Sequence, residues 1–238
     1  KIANFQTGLL PALLILSLIM SLIIIQPDYS TAIMIGFLGM LILFIGGAKI
    51  SQILLTCSIA LLIGIPVLLS REYRRERVLS FFGIGDNPDV GYQAHQSLIS
   101  LGNGGLFGTG LGNSVEKNHF LPTPHTDFIF AIIGEELGFL IGTVPVLTLF
   151  LLIFFQGIKI AKNCNDPFGI FLSVGIVSNL ILYAFVNAAV VTGLLPVTGL
   201  PMPMVSYGGS GMIINMSLIG ILLNISQAKR SFGDNVWT

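Results

Sequence analysis

Charge is what this sequence has least of. Only 9% of its 238 residues are Asp, Glu, Lys or Arg, where an ordinary soluble domain carries about 25%, and that shortage excludes a water-soluble globule. The charges balance, 11 basic against 11 acidic, with no basic block, so nucleic acid is excluded as a partner. Two cysteines, Cys57 inside an apolar run and Cys164 in a short polar link, are too few for a disulfide framework. Three histidines, at 95, 119 and 125, lack zinc-motif spacing, so no metal-ligating residues are assigned. A nucleotide fingerprint is missing too. The glycines at 102, 104, 105, 108, 110 and 112 do not fit the dinucleotide pattern, and Gly112 to Lys117 lacks the second glycine of a phosphate loop. They describe a flexible or tightly turned loop.

What fills the chain is hydrocarbon: 53% of residues are hydrophobic and the mean hydropathy is +0.89. Six apolar stretches, at about 9–25, 31–46, 52–69, 127–155, 168–191 and 204–225, are long enough or nearly so to cross a bilayer. The predicted fold class is therefore all-α, a polytopic transmembrane helix bundle forming one membrane domain over 1–238. Its only long polar segment is the loop 70–126, between the third and fourth spans.

In that frame Ser30 can cap the second span, and Gly64 with Pro66 predict a kink in the third. The loop opens with Arg71-Glu-Tyr-Arg-Arg-Glu-Arg77, a mixed-charge run of the kind that usually makes a solvated helix face. Gln93, Gln96, Ser97 and Ser100 then recur at helical spacing over 92–101, with Gly102 as a natural stop. In the fifth span Asn179, Tyr183 and Asn187 share one face, which predicts hydrogen bonds to neighbouring helices. Residues 193–211 hold three prolines and five glycines, irregular backbone that membrane depth tolerates only under cover of protein or around a water-filled cavity. Six spans place Lys1, Lys49, Lys159, Lys162, Lys229 and Arg230 on one side, and the loop's Arg71, Arg74, Arg75, Arg77 and Lys117 on the other. The short loops favour the first side as cytoplasmic. The arginines of the long loop oppose that bias, and an anionic ligand at the membrane surface is one reason to keep them.

The chain is organised around His119-Phe-Leu-Pro-Thr-Pro-His-Thr-Asp-Phe-Ile-Phe-Ala131, which runs into Ile132-Ile-Gly-Glu-Glu-Leu-Gly138. Asp127 stands at the entrance of a strongly apolar helix, where an uncompensated acid costs about 2.5–3.5 kcal/mol on insertion scales. One reading is a helix cap. Ala131, Gly134 and Gly138 fall on the stripe below Asp127, with Glu135 beside it, and such a furrow admits another helix or a lipid chain. An acid at the mouth of a groove fits this pattern better than a plain cap.

Tyr92-Gln93 with Gln96-Ser97, Gly110-Leu-Gly-Asn-Ser-Val-Glu-Lys117, Leu121-Pro122, His125 to Ala131, Gly134-Glu-Glu-Leu-Gly138, Gln26-Pro27-Asp28 and Gly199 to Ser210 resemble the SEDS family. That family comprises the FtsW, RodA and SpoVE polytopic glycosyltransferases, which polymerise lipid II into peptidoglycan. The Gly-Asn-Ser and Ile-Gly-Glu-Glu wording leans towards the division member, FtsW. SEDS proteins have about ten transmembrane helices, so the resemblance implies that this chain is the C-terminal portion, without roughly the first four.

The resemblance places Asp127 at the family's catalytic aspartate, here a general base for the acceptor hydroxyl. The substrate-binding candidates are Arg71, Arg74, Arg75, Arg77, Lys117, His125, Gln93, Gln96, Ser97 and Glu135, the cations facing phosphates. A divalent cation, Mg or Mn, is the one candidate cofactor, and residues 131, 134 and 138 are candidates for the polyprenyl path. Expected partners are lipid II, the membrane, a class B penicillin-binding transpeptidase and other division or elongation proteins. The expected location is the bacterial cytoplasmic (inner) membrane, with the division septum implied for a division member. Two other functions fit parts of the pattern: a transporter (flippase) of lipid-linked precursors and a non-catalytic scaffold for a transpeptidase. Acids gathered in or beside one external loop, apart from Asp28, Asp166 and Asp234, favour surface chemistry.

Overall fold

The structure is a computed structural model, and it describes residues 5–84 and 88–233. Lys1 and Asp234 lie outside the described residues, as do the side chains of Lys229 and Arg230. Every regular element among the described residues is helical. Five helical runs are long and apolar enough to cross a membrane, Phe5–Ile25, Ile50–Leu69, Ile129–Asn163, Pro167–Val191 and Gly209–Gln227, with Tyr29–Ile45 a shorter apolar helix. The protein is an all-α, multi-pass membrane helix bundle, and its chain divides into two compact units, residues 1–75 and 76–238.

The first unit contains α1 (Leu10–Ile25), α2 (Tyr29–Ile45) and α3 (Ile50–Leu69). Leucine and isoleucine point outward, with Leu14, Leu18 and Leu62 more than half exposed, which suits hydrocarbon and not water. Apolar burial therefore drives no association here, and close packing does. Gly36 and Gly39 of α2 supply it: a Cβ at either would stand 2.9 Å from Met20 or 2.7 Å from Leu16 of α1. Asp28, not Ser30, caps α2, its carboxylate accepting from the Thr31 N–H at 3.0 Å. The sequence pattern missed this because the helix starts two residues earlier than expected. At the end of α3, Arg74 donates to the carbonyls of Leu68 and Val67 at 3.0 and 3.1 Å and lies 3.7 Å over the Tyr29 ring.

The second unit carries the site. The chain's α4 (Glu72–Phe81) straddles the boundary; beyond it come α5 (Pro88–Gly104), α6 (Glu116–His119), α7 (Ile129–Gly138), α8 (Val144–Asn163), α9 (Pro167–Val191) and α10 (Gly209–Gly233). α8 and α9 form a hairpin across a three-residue link, in which the Asp166 carboxylate caps α9 at the Gly169 N–H, 3.0 Å away. Gly157 of α8 leaves no room for a Cβ against Val177 of α9, so the two helices meet closely. α9 is the central helix. At one level Ile176, Val177 and Leu180 pack with Leu222 of α10. At another Ala184, Ala188 and Val191 pack with Phe128, Phe130, Ala131 and Ile132 around α7.

The expected fourth span, 127–155, is not one helix. Ile129–Asn163 contains 35 residues, about 52 Å if straight against a hydrocarbon core of about 30 Å. The chain resolves the mismatch at Gly138, whose φ 77° and ψ 179° belong to a region open only to glycine. A single wide π turn, Phe139–Thr143, then leads into α8. Gly134 lies against Thr143, and Gly142 against the Ile133 carbonyl. Nine residues apart on a straight helix would mean about 13.5 Å, so the chain folds back on itself. The last expected span also shifts, starting at Gly209 instead of 204, because the Pro- and Gly-rich backbone before it stays irregular.

The glycine loop repairs this break. Thr109 and Gly110 donate to the freed carbonyls of Glu135 and Glu136 at 2.9 and 3.0 Å, while Phe139 and Leu140 donate to Gly105 and Leu106 at 2.9 and 3.1 Å. Backbone groups freed in an apolar region are costly unless paired, and this ladder pairs them. It also explains Gly104 and Gly108, where a Cβ would run into the backbone of residues 134–137. α5 passes through Gly102, the expected stop, and ends at Gly104, followed by Gly105 at φ 52°. The furrow of Ala131, Gly134 and Gly138 is thus filled by α5 and the glycine loop, with Leu101 seated on Gly134 and Gly108 on Gly138. Those three residues do not line a polyprenyl path, since the protein itself occupies their face.

Candidate functional site

Asp127 sits in the turn just ahead of α7. The N-cap of that helix is Phe128 with no side-chain cap bond, so Asp127 does not cap it. Instead its backbone is fastened from the far end of the chain. The Asn187 amide donates to the Asp127 carbonyl at 2.7 Å and to the Leu200 carbonyl at 2.8 Å. The Ser206 hydroxyl donates to the Thr126 carbonyl at 2.6 Å, and the Tyr207 N–H donates to the His125 carbonyl at 2.9 Å. Three consecutive carbonyls are each held, while the carboxyl remains half-buried. Gly199, at φ 74°, stands beside it; a Cβ there would lie 3.6 Å from Asp127 Oδ2.

Arg77 is the cation of this site. Its guanidinium donates to the Val197 carbonyl at 3.0 Å, on the same irregular segment, and its charge acts on Asp127. Burial raises the Asp127 pKa above its ordinary 3.8, outweighing the hydrogen bond from Thr126 and the attraction of Arg77, both of which lower it. The acid is thereby made a better proton acceptor once ionised.

The other sequence candidates scatter. Glu135 is buried, accepting from Ser100 at 3.0 Å, Ser114 at 2.6 Å and the Val115 N–H at 3.1 Å. It anchors α5 and the glycine loop to α7. Glu116, buried beside it, has its pKa raised by burial and by the Glu135 charge. Lys117 pairs with Glu136 at 2.8 Å, and Ser97 is fully buried, donating to the Val191 and Ala94 carbonyls at 3.0 and 2.8 Å. Gln93 and Gln96 are half-buried on α5, and the His125 side chain is exposed next to Asp127. Arg74 is committed to the end of α3, whereas Arg71 and Arg75 are exposed in the first unit. Among the described residues no three His, Cys, Asp or Glu side chains stand close enough to hold a metal ion.

Sequence reasoning missed Ser206, Gly199 and Val197, which meet Thr126, Asp127 and Arg77 respectively. It placed Asn187 on a helix-contacting face, and the contact proves to be with loop carbonyls. The available signal was the Pro- and Gly-rich stretch 193–211, which had to be covered or line a cavity.

The chain matches the family model of the FtsW, RodA and SpoVE cell cycle proteins over residues 1–231. It is 40% identical over 231 residues to a probable peptidoglycan glycosyltransferase FtsW of Geobacter metallireducens, covering 97% of this chain and 61% of the relative. It is 41% identical over 231 residues to stage V sporulation protein E of Bacillus subtilis, covering 97% and 63%. The chain thus spans about three fifths of the length of these relatives. Among solved structures it resembles a chain from work on structural coordination of polymerization and crosslinking by a peptidoglycan synthase complex. The TM-score is 0.73 at 26% identity, covering 92% of this chain and 61% of that one. A variant of the rod shape determining protein RodA of Thermus thermophilus shares the fold, with TM-score 0.59 at 22% identity, over 96% of this chain and 61% of that one. Because that family model matches residues 1–231 of this chain, the chain belongs to the FtsW, RodA and SpoVE family of cell cycle proteins.

Proposed function

We propose that this chain carries the catalytic half of a peptidoglycan glycosyltransferase that uses lipid II as donor and acceptor. The observation that carries the proposal is Asp127: a half-buried carboxyl, its backbone fastened on both flanks, its pKa raised, and Arg77 beside it. Relatives bearing the name peptidoglycan glycosyltransferase support the same reading.

In this mechanism the acceptor sugar's 4-hydroxyl oxygen attacks C1 of the donor sugar. The C1–O bond to the pyrophosphate breaks, and Asp127 takes the hydroxyl proton. Direct displacement inverts the centre, turning an α-linked donor into a β-linked glycan. Arg77 stabilises charge developing on the departing pyrophosphate. The described residues form no protein cage of three or more His, Cys, Asp or Glu side chains for a divalent ion. Magnesium arriving with a pyrophosphate needs only one or two carboxylates, and Asp127 is the one on offer.

The loop 70–126 is assigned to the outer side of the bacterial cytoplasmic membrane. A membrane-anchored class B transpeptidase is the proposed partner, with the septum the place of work for a division member. The deciding experiment is glycan-chain synthesis from lipid II by the full-length protein. Asp127→Asn is expected to lower the rate roughly 100- to 10,000-fold without loss of folding, since Asp127 caps nothing. A folded Asn variant polymerising at the parent rate removes Asp127 from the mechanism.

A further inference from the structure

The segment 197–207 belongs to no regular element, yet its polar groups converge on one target. Ser206 Oγ gives its proton to the Thr126 carbonyl and accepts from the Met202 N–H at 2.8 Å, so one hydroxyl ties the acid's flank to the segment's own turn. Asn187 does the same from α9, bridging the carbonyls of Asp127 and Leu200. Its amide is 1% exposed and its Oδ1 is buried without a partner. A buried acceptor left unmet is unfavourable, so this side chain is kept for its two N–H donors. Val197, on the same segment, holds Arg77. Met204 adopts φ 62°, a conformation rare for a side-chain-bearing residue, which shows a turn held by its surroundings.

We infer that Ser206 and Asn187 are positioning residues: they fix the backbone on either side of Asp127, and with Val197 set the spacing between the acid and the Arg77 guanidinium. The inference rests on the proposed role of Asp127 as general base. Small displacements of a reacting group cost rate steeply, about 100-fold for 1 Å, so a base and a cation carried by elements 50 residues apart in sequence need a common frame. The segment 197–207 is that frame. The segment fastens the backbone, while the half-buried carboxyl keeps its hydrogen bond from Thr126 and an open face towards substrate.

The test uses full-length protein and lipid II, with kcat, KM and the pH profile measured for the parent, Asp127→Asn, Ser206→Ala, Ser206→Thr and Asn187→Leu, each normalised to folded protein. Ser206→Ala and Asn187→Leu are expected to lower kcat about 100-fold with KM little changed. Their acid limb should move to lower pH as the loosened carboxyl gains water. Ser206→Thr, which keeps the hydroxyl, should recover most of kcat. A merely structural role would lower the amount of folded protein and leave the limb of the remainder in place. Parent-like kcat and an unmoved limb in both variants, or loss of folding in both, overturns the inference. If Asp127→Asn is inactive in that experiment, the proposed function stands while the positioning falls. If Asp127→Asn is fully active, both fall.

Discussion

Gly138→Ala tests whether the long apolar run is broken by design. Alanine would have to adopt φ 77° and ψ 179°, at a strain of about 1–3 kcal/mol. Its methyl would also meet the Phe107 carbonyl carbon at 2.5 Å and the Leu106 oxygen at 2.6 Å, with the Gly108 nitrogen nearer still. These are backbone atoms of the ladder that closes the break, so they cannot swing aside as a side chain would. Overpacking of this kind costs about 1–3 kcal/mol, and the two effects together come to about 2–6 kcal/mol. A matched control is Gly64→Ala in α3, where no atom lies within 4 Å of the added methyl and alanine should gain about 0.5–1 kcal/mol. The assay is unfolding of the full-length protein by SDS in mixed micelles, with hydrogen exchange read at Thr109, Gly110, Phe139 and Leu140. Gly138→Ala should unfold at lower SDS and lose protection at those four amides, while Gly64→Ala unfolds no earlier than the parent. A Gly138→Ala protein matching the parent in both readouts would refute the break, since a continuous helix prefers alanine there.

Three further outcomes follow from the site. Because burial raises the Asp127 pKa in the folded chain, the folded state favours the neutral acid; the parent gives up stability as pH rises from 3.8 through the raised value. Asp127→Asn should therefore be at least as stable as the parent at neutral pH and lose that margin below the ordinary value, as thermal unfolding across pH would show. Arg77→Gln removes a charge that holds the Asp127 pKa down, so polymerisation should weaken and its acid limb move to higher pH, opposite to Ser206→Ala; an unmoved limb would separate Arg77 from the acid. Asn103 is exposed on α5, and Asn103→Cys, in a background without Cys57 and Cys164, should react with an impermeant thiol reagent on intact spheroplasts. Labelling only after lysis would reverse the orientation.

Much of this protein follows from composition and order along the chain. A sequence with so few charges and so many leucines and isoleucines can only satisfy its backbone in hydrocarbon as helices, and the apolar run lengths mark out most of those helices to within a few residues. Asp127 is equally legible, because an acid beside an apolar helix has few structural excuses. Tertiary structure alone decided what surrounds it. Local pattern reads Ala131, Gly134 and Gly138 as a furrow but cannot say what fills it; α5 and a loop 25 to 35 residues earlier do so. Glu135 and Asp127 look alike in sequence, eight residues apart, yet one is spent on Ser100, Ser114 and Val115 while the other keeps a half-open carboxyl. Asn187 and Ser206 reach Asp127 and Thr126 across 60 and 80 residues of chain. Periodicity carries no information about such pairs, because it reports which face a residue occupies on its own element, and only the packing of α7 against α9 brings those faces together.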